Sequence, residues 1–173
     1  MFKTIIMKQR SLILSCLLLV GQLFAQQYQK TNLGIKTSTQ AMDVEVQFFS
    51  PSIVRVLKSP EGVAFKKESL SVNKKPQETK FTIQQKGDIL SLKSEKLKVD
   101  VDLKSGKISY YTLAGAALLS EAASGATFTD FDDAGSKTYS INQLFALDKD
   151  EAIYGLGQQQ RGKLSLRNAK INM

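Results

Sequence analysis

Sixteen Asp and Glu side chains, twenty-four Lys and Arg and no histidine limit the chemistry open to this 173-residue chain. Without an imidazole, a Ser-His-Asp triad, a Cys-His pair and any His-ligated zinc site are excluded, because each uses the ring nitrogen as base or ligand. General acid-base work would fall to carboxylates, Lys or Tyr. The run Gly157-Gln158-Gln159-Gln160-Arg161-Gly162-Lys163-Leu164 follows the phosphate-loop pattern up to its last position. There Leu164 replaces the hydroxyl that coordinates Mg²⁺, so nucleotide binding is not expected. Gly155-Leu156-Gly157 opens like a dinucleotide fingerprint, but Gln160 stands where the third glycine belongs. Asp130-Phe131-Asp132-Asp133-Ala134-Gly135 begins like a calcium loop, yet Ala134 and Ile141 occupy its fifth and twelfth positions. A solvated acidic turn is the expectation there, and neither a metal nor a cofactor is implied.

Two further kinds of constellation fail on spacing. Lys66-Lys67, Lys74-Lys75 and the Lys93, Lys96, Lys98 set alternate with Glu68, Glu78, Glu95 and Asp100. A nucleic-acid stripe needs clustered positive charge with stacking aromatics, so these lysines read as solvated positions on edges and turns. A glycosidase pair needs two carboxylates flanking one bond, about 5–5.5 Å apart for retention or 6.5–9.5 Å for inversion. No motif here brings two acids to that separation, and no catalytic residue is assigned within the chain.

The elements that would position any site begin after residue 25. Lys3, Lys8 and Arg10 precede an apolar stretch from Leu12 to Val20, and Ala25 stands before the polar run Gln26-Gln27-Tyr28-Gln29-Lys30. A charged start, a short apolar run and a small residue before a polar switch describe a secretory signal, with cleavage expected after Ala25. The run is too short to span a membrane, which takes about 20 residues. Leu14 fits poorly before a lipidated Cys16, so a lipoprotein is not expected. The mature chain would carry a net charge of +5 and no thiol, and be periplasmic or extracellular.

Beyond the signal the periodicity is two. Leu97, Val99, Val101 and Leu103 alternate with Lys98, Asp100, Asp102 and Lys104, which predicts a strand with one apolar and one charged face. Lys104-Ser105-Gly106-Lys107 supplies a turn, and Ile108–Thr112 reads as the returning strand. Similar alternation occurs at Val44–Phe48, Ile53–Leu57, Phe81–Ile83 and Leu90–Leu92, punctuated by Ser50-Pro51, Ser59-Pro60-Glu61-Gly62, Asn73–Pro76 and Lys86-Gly87-Asp88. The Ala- and Gly-containing stretch from Ala114 to Ala126 is read as room for a helical turn, weakened by Gly115 and Gly125. Short strands at intervals of roughly ten residues predict an all-β antiparallel sandwich or barrel.

Several of these segments together resemble one family. Asp150-Glu151-Ala152-Ile153-Tyr154-Gly155-Leu156-Gly157-Gln158 is similar to a segment near the end of the first domain of family 31 glycoside hydrolases, an acid, then aromatic-Gly-Leu-Gly, then Glu or Gln. Arg161–Arg167 resembles its continuation in α-xylosidase-like and α-glucosidase-like members. Phe48–Val56 resembles the family's opening strand, turn and Arg-containing strand, and Val99–Glu121 its central hairpin. The resemblance implies an antiparallel β-sandwich similar to galactose mutarotase, packed against a (β/α)₈ barrel that carries both catalytic aspartates and hydrolyses α-glycosides with retention. Residues 26–173 would then be that N-terminal sandwich, incomplete at its C-terminus, with the barrel absent and the chain alone inactive.

In the family a loop of this domain reaches the rim of the barrel's sugar pocket, which makes Tyr154, Gly155, Leu156, Gly157 and Gln158 the substrate-rim candidates. Two glycines in three residues permit close backbone approach, and Gln158 offers donors and an acceptor for hydroxyls. The alternative is that this bend only packs the domain against the barrel. The implied partners are an oligosaccharide substrate, through the complete enzyme, and the barrel itself. A competing expectation is a stand-alone secreted carbohydrate-binding or adhesion module, against which the absence of Trp weighs slightly.

Overall fold

A computed structural model of the chain describes residues 27–39, 42–63, 71–155 and 164–168. The expected signal segment lies outside them. Every regular element among the described residues is a strand: β1 (Gln29–Lys30), β2 (Gly34–Thr39), β3 (Met42–Ser50), β4 (Ile53–Pro60), β5 (Thr82–Lys86), β6 (Ile89–Lys93), β7 (Leu97–Asp102), β8 (Ile108–Thr112), β9 (Ala117–Asp133) and β10 (Ser136–Phe145). They form two antiparallel meanders, a four-stranded sheet in the order β1-β2-β3-β4 and a six-stranded sheet in the order β10-β9-β8-β7-β6-β5. The fold is therefore the all-β antiparallel sandwich that the period-two patterning predicts. No helix among these residues is long and apolar enough to cross a membrane.

The patterning explains how the sheets face each other. In β3, Met42, Val44, Val46 and Phe48 are buried while Asp43, Glu45 and Gln47 turn outward. Ile35 of β2 pairs with Val46 and so shares its face. From the other sheet Leu90, Leu92, Val99, Val101 and Ile108 complete the core. Burying side chains of this size stabilises by about 1.5–3 kcal/mol each. Phe48 also stacks on Phe81, with ring centroids 5.5 Å apart.

The hairpin predicted over residues 97–112 is present, with Val101 opposite Ile108 and Leu97 opposite Thr112. Its turn is set by Asp102, whose carboxylate accepts the N–H groups of Lys104 at 2.8 Å and Ser105 at 3.1 Å. Burial pushes that carboxyl's pKa up, but the hydrogen bonds from Ser105 and Lys104 outweigh it and hold the group below its ordinary value. Gly106 takes φ +72, and a Cβ there would lie 2.8 Å from Met42 Cε and 3.0 Å from Thr39 Cγ2. The turn thus packs directly on the opposite sheet, where the Thr39 hydroxyl donates to the Lys104 carbonyl at 2.7 Å.

Two parts differ from expectation. The stretch 114–126 is not a helical turn: Thr112–Ala116 close a tight turn and β9 begins at Ala117. The Ala content favours helix, but Gly115 and Gly125 sit at φ +90 and +77, outside helical geometry, and neighbours on both sides supply ladder bonds. The second is the ribbon of β9 and β10, whose strand β10 has no apolar alternation strong enough to announce it. Residues 122–125 form a bulge there, because Ala126 lies opposite Gln143 while Glu121 lies opposite Phe145.

Candidate functional site

The rim candidates lie on a segment with its own anchorage. The Arg167 guanidinium donates to the carbonyls of Asp148 and Glu151 at 2.8 and 2.6 Å, and Leu166 N–H donates to the Ile153 carbonyl at 2.7 Å. Leu166 is buried beneath this clasp. It delivers Tyr154 to the surface, 62% exposed, followed by Gly155 at φ +89. Among the described residues a Cβ on Gly155 would meet nothing within 4 Å, so the glycine answers there to its backbone geometry. Leu156, Gly157 and Gln158 lie outside the described residues, as does the phosphate-loop-like run apart from its exposed Leu164. An exposed phenol beside a left-handed glycine can stack on and hydrogen-bond to a polyhydroxylated ligand; it supplies no acid-base pair.

The decoys resolve into structure. Asp130–Asp133 end β9, and the Asp132 carboxylate accepts the Gly135 N–H at 2.6 Å, closing the hairpin turn. Lys98 of the basic set pairs with Asp100 at 2.9 Å and lies 4.3 Å from the centre of the Tyr111 ring. No group of three His, Cys, Asp or Glu side chains converges as metal ligands among the described residues.

What sequence reasoning missed is a polar cluster between the sheets. Glu121, 3% exposed, accepts Lys58 Nζ at 2.5 Å, the Ile108 N–H at 2.7 Å and Gln143 Nε2 at 2.8 Å. Lys58 comes from β4 in phase with Val54 and Val56, which is the signal that could have placed it inward. Gly125 lies against the pair: a Cβ there would overlap the Glu121 carboxylate and stand 2.7 Å from Lys58 Nζ. Burial pushes the nearby Tyr110 hydroxyl up to about 12, assisted by the negative charge of Glu121. These groups floor a cavity of about 360 Å³ walled by Val56, Phe128, Ile141 and Phe145.

That cavity has one carboxylate, already held by three donors, where glycoside hydrolysis requires two. A larger groove of about 690 Å³ runs beside β2, β3 and β4 and contains Asp43 and Glu45. Each is engaged: Asp43 by the Ser38 hydroxyl and the Gly62 N–H, Glu45 by Lys36 and the Gln47 amide. Both arrangements are those of structural acids.

Residues 43–173 match the family model described as the glycosyl hydrolase 31 N-terminal galactose mutarotase-like domain. The chain belongs to this family. Among curated relatives of the GH31 domain, an alpha-xylosidase of Saccharolobus solfataricus is 31% identical over 126 residues, which is 70% of this chain and 16% of the relative. Among solved structures, the GH31 alpha-xylosidase of Xanthomonas citri aligns with a TM-score of 0.72 at 29% identity, covering 80% of this chain and 15% of its own. A GH31 alpha-xylosidase from a soil metagenome, complexed with xylose, aligns with a TM-score of 0.64 over 82% of this chain and 23% of its own; at 18% identity it shares the fold. The chain spans less than a quarter of the length of each of these proteins.

The GH31 domain's buried pair offers a direct test of its own role. Glu121→Gln removes the carboxylate charge opposite Lys58 and should cost about 3–5 kcal/mol in urea unfolding. Lys58→Met combined with Glu121→Gln, which keeps an amide oxygen to accept the Ile108 N–H, should recover most of that loss. A single variant within about 1 kcal/mol of the parent would show that the pair is incidental.

Proposed function

We propose that this chain is the supporting N-terminal sandwich of an exported, retaining α-glycoside hydrolase of α-xylosidase or α-glucosidase type. The match of residues 43–173 to the GH31 N-terminal domain carries this reading, and the alpha-xylosidase relatives support its substrate class. The chemistry belongs to another domain of the complete enzyme. In keeping with that, the two described cavities hold only carboxylates already engaged by donors. The purified 173-residue chain should therefore release no aryl group from aryl α-xyloside or aryl α-glucoside, and clear turnover by it alone would sink the assignment.

The bend from Tyr154 to Gln158 contributes to the rim of the sugar site. Its support is the exposed Tyr154 phenol, the absence of any neighbour around Gly155 within the described domain, and the clasp through Arg167 that fixes its base. In the complete enzyme Tyr154→Ala should raise KM for an oligosaccharide several-fold while the melting temperature stays unchanged. Loss of thermal stability with KM unaltered would instead assign the bend to domain packing.

Export rests on the charged start, the Leu12–Val20 apolar run and the polar switch after Ala25. The protein recovered from periplasm or medium should begin at Gln26 by N-terminal sequencing. Retention in the cytoplasm with Met1 in place would refute it.

A further inference from the structure

The segment that leads from β10 to Tyr154 receives little from apolar burial: residues 146–152 are all exposed and Ile153 is half-buried. Its course is therefore set by hydrogen bonds. Ala146 N–H donates to the Ser120 carbonyl of β9 at 2.8 Å, which fixes where the segment leaves the ribbon. A turn follows, in which the Glu151 N–H donates to the Asp148 carbonyl at 3.2 Å and the Asp148 N–H to the Glu151 carboxylate at 3.1 Å. Both bonds are long and stand in an exposed place, where water competes for the partners.

The bonds from Arg167 to the same turn are shorter. One guanidinium nitrogen, Nη1, donates to the Asp148 and Glu151 carbonyls at 2.8 and 2.6 Å, from 19 and 16 positions downstream. A charged donor strengthens a hydrogen bond, and the planar guanidinium gives up less side-chain freedom per bond than a lysine stem would. The adjacent Leu166 is buried, which seats the Arg167 backbone, and its N–H donates to the Ile153 carbonyl at 2.7 Å. Tyr154 is the first residue past this last anchor. Its side chain is exposed, and among the described residues no hydrogen bond or ring contact holds it. The direction of the phenol is inherited from the backbone behind it.

We infer that Arg167 is a positioning residue for substrate binding: it acts through Tyr154, whose phenol it holds at the angle that meets the oligosaccharide. This rests on the rim reading of Tyr154 above. Without the guanidinium, the turn at Asp148–Glu151 would keep its two long bonds and sample several orientations, and each substrate encounter would first have to order it. That cost falls on binding and not on the chemical step, so KM rises while kcat holds.

The test has one part on the purified chain and one on the complete enzyme. In the chain, Arg167→Ala should speed hydrogen exchange at the Glu151 and Leu166 amides about threefold or more, while the amides of β9 and β10 keep their rates. In the complete enzyme it should raise KM for an oligosaccharide about three- to tenfold, the range of one hydrogen bond's net contribution, with kcat unchanged. Arg167→Lys should recover part of that loss, and Lys149→Ala, which removes an exposed cation from the same turn, should change neither constant. The double variant Tyr154→Ala, Arg167→Ala decides the route: its KM should match that of Tyr154→Ala alone, because Arg167 then has nothing to position. Additive effects, a normal KM in Arg167→Ala beside a raised one in Tyr154→Ala, or unchanged exchange at Glu151 would overturn the proposal and leave the rim reading standing. A normal KM in Tyr154→Ala would refute the rim reading and this proposal with it.

Discussion

The ion pair between Lys58 and Glu121 is the contact on which the arrangement of the two sheets turns. Taking a carboxylate and an ammonium out of water costs several kcal/mol each unless both are fully coordinated. Here the coordination draws on four strands: Lys58 from β4, the Ile108 amide from β8, Glu121 from β9 and Gln143 from β10. Glu121 reaches the pair because the bulge at residues 122–125 ends beside it, and Gly125 keeps the space clear. Apolar faces alone would tolerate sliding of one sheet over the other, whereas a buried pair with fixed partners does not. At the other end of the sandwich, Gly106 and the Thr39 hydroxyl lock the β7–β8 turn to the opposite sheet.

Within this framework the acids of the described cavities are engaged by hydrogen-bond donors. The phenol of Tyr154, proposed above as part of a sugar-site rim, stands exposed on its Arg167-tied loop. The proposed division of labour suits a chain that spans less than a quarter of each alpha-xylosidase to which it is similar. A sandwich can hold a loop in place with high stiffness while the reacting groups come from elsewhere, since function resides in sites and not in folds.

The sequence made the centre of the fold legible and left its periphery obscure. Where one face is buried and the other wet, as in Val99 and Val101 against Lys98 and Asp100, alternation reports directly on geometry. It is weak for β10, where Tyr139 and Ile141 alternate with Ser140 and Asn142 but Gln143 and Leu144 break the pattern, and where every residue is exposed. It misleads at 114–126, where Ala content points to helix while the decisive factors are positive φ at Ala123 and Gly125 and strand neighbours distant in sequence. The rim motif was visible as a string, of which the described residues Tyr154 and Gly155 are exposed. The Glu121 cluster was hidden for a plain reason: Lys58 and Glu121 are 63 positions apart, and only the docking of two sheets brings them together.

The meander topology also shapes how the domain must assemble. Among the described residues every ladder joins strands that are consecutive in the chain, so each closes only a short loop and loses little entropy in doing so. Local zippering of each sheet is thus inexpensive, and the step that costs more chain entropy is the pairing of the two sheets across the longer connection between β4 and β5. At that step the apolar faces offer attraction without orientation. A misregistered encounter would trap an uncompensated charge on Lys58 or Glu121, so the buried pair works as a proofreading device for assembly as much as a bond in the finished fold.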